Sequence, residues 1–82
     1  MPVTLTAEAR DQLAKLPASI IARVDAIVTR LERWPNVSGA KSLKGDLAGY
    51  CRIRTGDYRV MFRVEPNQIV ITQIGKRDRF YD

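Results

Sequence analysis

Apolar residues recur with two different periods along this chain, and the change of period divides it in two. Ile20, Ile21, Val24, Ile27, Val28, Leu31 and Trp34 follow one another at steps of one, three, three, one, three and three. Those steps lay them along one stripe of an α-helix, with Arg23, Asp25, Arg30 and Arg33 on the opposite side. Pro35 stops that helix. A shorter helix is predicted over residues 7–16, capped by Thr6, with Ala9, Leu13 and Leu16 on one face. Pro17 separates the two helices, leaving a very short turn and hence a helical hairpin. Residues 3–5 precede it as a short strand.

Residues 36–42 read as a polar connection, and from residue 50 onward the period drops to two. Three strands are predicted, over residues 50–54, 58–64 and 69–74. Thr55-Gly56-Asp57 and Glu65-Pro66-Asn67-Gln68 supply hairpin-length turns between them. The order strand, helix, helix, strand, strand, strand makes an α+β domain, with the helical hairpin on one face of a mainly antiparallel sheet. The N-terminal strand can join either free edge of the three-stranded meander. Alternation also assigns faces. Cys51, Ile53, Val60, Phe62 and Val64 form the side that meets the helices. Tyr50, Arg52, Arg54, Arg59, Met61 and Arg63 fall on the other, which is expected to be open. Four arginines on two adjacent strands repel one another unless anions lie near; Asp46, Asp57 and Glu65 are the candidate internal partners.

Eighty-two residues make one domain. A chain of this size buries only about 60–65% of the surface its unfolded form exposes, so added burial from a partner chain is a gain. The net charge of +5 is unevenly spread. Residues 1–40 hold five Lys/Arg against four Asp/Glu, whereas residues 41–82 hold nine against five. The second half therefore favours an anionic partner, either nucleic acid or an acidic protein. No apolar run approaches the roughly 20 residues a membrane-crossing helix needs, and no basic segment followed by an apolar block opens the chain. A cytoplasmic location without membrane contact is expected. A single cysteine, Cys51, fits a reducing compartment.

The chain has no histidine, which removes the commonest general acid or base and any Ser-His or Cys-His nucleophile. One cysteine and scattered carboxylates give no metal-ligand spacing, and no phosphate-binding loop is present, so neither metal nor cofactor is expected. Transesterification of RNA survives this elimination. There the 2′-hydroxyl of the substrate is the nucleophile, and the protein aligns it, neutralises developing charge and helps protons move. Arginine forks suit the second task. Lys76, Arg77, Arg79 and Tyr81, just beyond the last strand, can flank the same face, with the tyrosine stacking on a base or moving a proton.

With those residues in view, the chain resembles the RelE family of the RelE/ParE toxin superfamily. The resemblance runs over nearly the whole length: T-x-x-A, K-L-P, W-P, L-K-G, G-Y-x-R-I-R-x-G-D-Y-R-V and I-G-K-R-x-x-x-Y. The G-D-Y-R-V block and the closing I-G-K-R with its tyrosine are its specific parts. It implies the toxin half of a type II toxin–antitoxin pair, an endoribonuclease that cuts mRNA in the A site of the 70S ribosome. A cognate antitoxin is implied as partner, with operator DNA bound only through that antitoxin. Carried over residue by residue, Arg59 contacts the phosphate, and Arg77 stabilises the transition state or protonates the leaving group. Tyr81 stacks on or orients the base. Arg52 and Arg54 stand where the family places basic residues, often lysines; because arginine stays protonated, charge stabilisation is their implied share. Lys44, Arg63, Lys76 and Arg79 are candidate RNA contacts. Family members often add a C-terminal helix that the antitoxin displaces; here Asp82 follows Tyr81 directly, so that mode of inhibition is not expected. The alternative on the same scaffold is a ParE-like toxin that poisons DNA gyrase, although such chains generally lack the closing basic–tyrosine constellation.

Overall fold

The helical hairpin and the meander both form, and a very short extra strand widens the sheet. The computed structural model describes residues 1–76. Its elements are β1 (Val3–Leu5), α1 (Ala7–Ala14), α2 (Ala18–Leu31), β2 (Lys41–Ser42), β3 (Tyr50–Thr55), β4 (Tyr58–Val64) and β5 (Ile69–Lys76), with a 3-10 turn at Gly45–Leu47. The fold is α+β, as the periodicity predicts.

Local chemistry explains the helix ends. The Thr6 hydroxyl accepts from the Ala9 amide at 3.1 Å and starts α1. That helix closes at Ala14, two residues earlier than its apolar pattern suggests. The amides of Lys15 and Leu16 turn instead to the carbonyls of Gln12 and Leu13, because the residue before a proline is disfavoured in the helical region. Pro17 occupies the N-cap position of α2, and its carbonyl accepts from Ile20 and Ile21. The second helix ends at Leu31, so Trp34 extends the apolar stripe from a following turn. Its indole meets Phe62 edge-on, with centroids 5.7 Å apart and planes at 79°.

The sheet has the order β1-β5-β4-β3-β2. β1 joins the β5 edge in parallel, Thr4 beside Val70, and so settles which edge the N-terminal strand takes. β2, within the stretch read as a polar connection, pairs antiparallel with β3, Lys41 beside Arg52. Thr55 and Tyr58 close the β3–β4 hairpin over Gly56-Asp57. Gly56 has φ +59° and Asp57 is not in the left-handed region, the arrangement of a type II′ turn. The β4–β5 pairing shifts register between Met61 and Phe62. Met61 faces Gln73 while Phe62 faces Ile71, which leaves Thr72 as the extra residue of a β-bulge.

Beyond Leu5 the outer edge of β5 has no strand beside it among the described residues, and α1 takes over the bonding. The Thr6 amide donates to the Ile71 carbonyl at 3.0 Å, the Thr6 hydroxyl to the Thr72 carbonyl at 3.4 Å, and the Ile74 amide to Gln12 Oε1 at 2.7 Å. The core lies between helices and sheet. Ala9, Val24, Ile27 and Leu31 pack against Ile53, Val60, Phe62, Ile69, Ile71 and Ile74. Cys51 borders this core, as predicted. Val64 does not join it; at the tip of the β4–β5 hairpin it remains exposed. Among the described residues no helix is long and apolar enough to cross a membrane.

Candidate nucleic-acid interface

Directly paired residues of a sheet point to the same side, so the register lays out the face turned away from the helices in three cross-strand rows. One runs Tyr50, Arg63, Val70, Thr4. The next runs Lys41, Arg52, Met61, Gln73. The third runs Arg54, Arg59, Gly75. Strands lie about 4.8 Å apart, so Arg54 and Arg59 start from Cβ atoms roughly 5 Å from each other. The alternation thus delivers Arg52, Arg54, Arg59 and Arg63 to one face, with Lys41 added at its margin.

That face is less open than its alternation suggests. Arg52 retains 7% of its surface exposed and Arg59 only 3%, and Met61 and Val70 are buried beside them. A guanidinium so enclosed needs partners, and Arg52, Arg54 and Arg59 all have them. The arginines are therefore held in place, not loosely solvated. Arg54, near the turn, is exposed.

Arg63 is committed within the fold. Its Nε donates to Glu65 Oε2 at 2.9 Å, and Gln68 Nε2 donates to the other carboxylate oxygen at 2.9 Å. The Arg63 hydrogen bond, with that of Gln68 behind it, holds the Glu65 carboxyl below its usual range, and Glu65 in turn raises the Arg63 pKa. Of the three candidate internal partners, Glu65 is thus the one that pairs with Arg63.

Lys44 lies outside the sheet, in a cleft of about 550 Å³ formed by residues 41–47. Lys41 also lines that cleft and stands next to Arg52 in the register, so cleft and arginine face adjoin. Lys76 is placed differently from expectation. It pairs with Tyr58, two positions on from the Ile74–Val60 pair, and so falls on the helix side of the sheet. Arg77, Arg79 and Tyr81 lie outside the described residues. Among the described residues no three His, Cys, Asp or Glu side chains cluster as metal ligands.

Lys41 and Gln73, both on the face, escaped the sequence reading. Lys41 belongs to a strand of two residues, too short to announce itself by alternation. Gln73 left a signal: Thr72-Gln73 interrupts the run Ile69-Val70-Ile71 with two adjacent polar residues. Strict alternation sends one of such a pair inward, and the bulge resolves the conflict by adding a residue.

A family model describing the ParE toxin of the type II toxin–antitoxin system, parDE, matches residues 3–81. The chain belongs to the RelE/ParE superfamily of type II toxins. Toxin RelG of Mycobacterium tuberculosis is 37% identical to this RelE/ParE toxin over 86 aligned positions, covering 99% of this chain and 98% of RelG. The toxin–antitoxin complex RelBE2 from Mycobacterium tuberculosis contains a chain that superposes with a TM-score of 0.81 at 34% identity, covering 93% of this chain and 96% of that one. A chain of the archaeal RelE–RelB complex from Pyrococcus horikoshii gives 0.74 at 27% identity, over 96% and 97% of the two chains. The isolated E. coli RelE toxin, at 15% identity and a TM-score of 0.77, covering 92% and 82%, shares the fold.

Proposed function

We propose that this type II toxin is a ribosome-dependent endoribonuclease that cuts mRNA within the A site and is silenced by a cognate antitoxin. The observation that carries this reading is the gathering of Arg52, Arg54 and Arg59 on adjacent strands of one sheet face. The 2′-hydroxyl attacks the adjacent phosphorus, and the bond to the 5′-oxygen breaks. The products are a 2′,3′-cyclic phosphate and a free 5′-hydroxyl. The attacking hydroxyl loses a proton and the departing oxygen gains one. Arg52, Arg54 and Arg59 stay protonated and supply charge to the phosphorane oxygens. On the strength of the family pattern, Arg77 adds charge at the departing oxygen, and Tyr81 stacks on the base and takes part in proton movement.

The partner follows from the same charge. A basic face over a small core gains from an acidic cover, in both electrostatics and burial, and RelBE2 and the archaeal RelE–RelB structures are complexes with antitoxins. Operator binding would then come through the antitoxin.

The test is incubation of purified protein with ribosomes that hold a defined mRNA and an empty A site, followed by mapping of RNA ends. We expect a cut inside the A-site codon, dependent on the ribosome and ending in a cyclic phosphate. Arg59→Ala should slow it about 100- to 1,000-fold, the usual loss when a transition-state donor is removed. Intact mRNA from folded protein, together with gyrase-dependent DNA breaks, would replace this reading with the ParE-like one.

A further inference from the structure

We infer that Gln73 is a base-reading residue of this toxin, selecting adenine at one position of the codon that is cut; the inference rests on the nuclease reading above. The arginines of the face address phosphates, and phosphate contacts position a nucleic acid without reading its sequence. Gln73 shares their face, in one row with Met61, Arg52 and Lys41. Its amide carries both donors and an acceptor and makes no hydrogen bond to another described residue.

Its backbone, by contrast, is fixed from both sides. The Thr72 hydroxyl donates to the Met61 carbonyl at 3.3 Å, and the Thr72 carbonyl accepts from the Thr6 hydroxyl at 3.4 Å. On the other flank the Ile74 amide donates to Gln12 Oε1 at 2.7 Å. Three side chains are spent on holding the bulge that aims Gln73, and Gln73 spends its own on none of them. A rigid backbone with an uncommitted amide is what selective recognition of a base edge requires. Single-stranded RNA offers its base edges freely, and a glutamine matches the donor–acceptor pair of adenine.

The experiment programs ribosomes with A-site codons in which adenine is exchanged for each other base at each position, and measures cleavage by full-length wild type, Gln73→Leu and Gln73→Glu. Wild type should prefer adenine at one position by roughly 5- to 150-fold, the discrimination of a two-bond base contact. Gln73→Leu should lose that preference while still cutting. Gln73→Glu, of the same shape but only accepting, should move it toward cytosine, and it carries the test if the leucine variant does not fold. Wild type without an adenine preference, or variants that keep the wild-type codon profile or slow all codons equally, would overturn the inference while leaving the nuclease standing. Uncut mRNA from wild type would overturn both.

Discussion

Arg63 and Glu65 show how a charge that alternation assigns to a binding face can be taken up by the fold. Glu65 closes the β4–β5 turn, its amide donating to the Gln68 carbonyl at 2.8 Å, and its carboxylate gathers Arg63 and the Gln68 side chain. Such an exposed pair contributes little at physiological salt, but its pH dependence has a definite sign. The Glu65 pKa lies below the ordinary 4.5 because the ionised form accepts both hydrogen bonds. Its contribution is therefore fully present above pH 4.5 and disappears as pH falls through the depressed value. Glu65→Gln should lower the urea midpoint slightly at pH 7, and the two proteins should converge in acid. A difference that persists at pH 2 would show that Glu65 acts through its backbone and not its charge. Arg52 and Arg59 differ from Arg63 in kind. They are enclosed in the middle of the sheet, where a fork-shaped cation is hard to replace, and lysine in either place keeps charge but not geometry.

At the scale of elements, the decisive joint is between α1 and the outer edge of β5. β1 covers that edge only as far as Leu5; afterwards Thr6 and Gln12 carry the bonding. Gln12→Ala would leave the Ile74 amide, within a partly buried site, without its acceptor. That should cost about 1–3 kcal/mol in urea unfolding, whereas Gln12→Glu, which keeps an acceptor, should cost less. Equal losses in the two variants would mean that packing of α1, and not this bond, holds the strand. The sequence makes much of this architecture readable. The stripe from Ile20 to Leu31 and the Arg/apolar alternation of β3 and β4 each follow from a single period set by local geometry. What escaped depends on pairing between distant segments. Lys41–Ser42 is a strand only because β3 lies beside it, and the place of Lys76 follows from the bulge at Thr72, where one extra residue reverses the parity of everything downstream. The enclosure of Arg52 and Arg59 is likewise a property of neighbours, which period-two counting does not weigh.

At the scale of the whole molecule, the domain measures only 31 × 26 × 24 Å, yet it sorts its charges by layer. The helical layer carries near-balanced charge, while residues 41–76, with seven Lys/Arg against three Asp/Glu, concentrate their excess in the sheet and its margins. If the protein is the nuclease proposed above, its affinity for RNA comes from counterion release, for which log K falls with log salt by about 0.7 for each single-strand phosphate neutralised. With Arg52, Arg54 and Arg59 each exchanging its present partner for one phosphate, the slope for a short single-stranded RNA should be about −2, steeper if Lys41 and Lys44 extend the track along the adjoining cleft. Arg54→Ala should make the slope shallower by about 0.7. Lys15→Ala, which removes an exposed charge just after α1 on the helix layer, should lower the affinity little and leave the slope unchanged. Titrations at several salt concentrations, followed by fluorescence anisotropy, separate the two variants. If Lys15→Ala and Arg54→Ala flatten the slope equally, the RNA is attracted by net charge alone and has no preferred face. If only Arg54→Ala does so, the three rows define the track, and an acidic antitoxin segment laid across them should compete with RNA for the same charges.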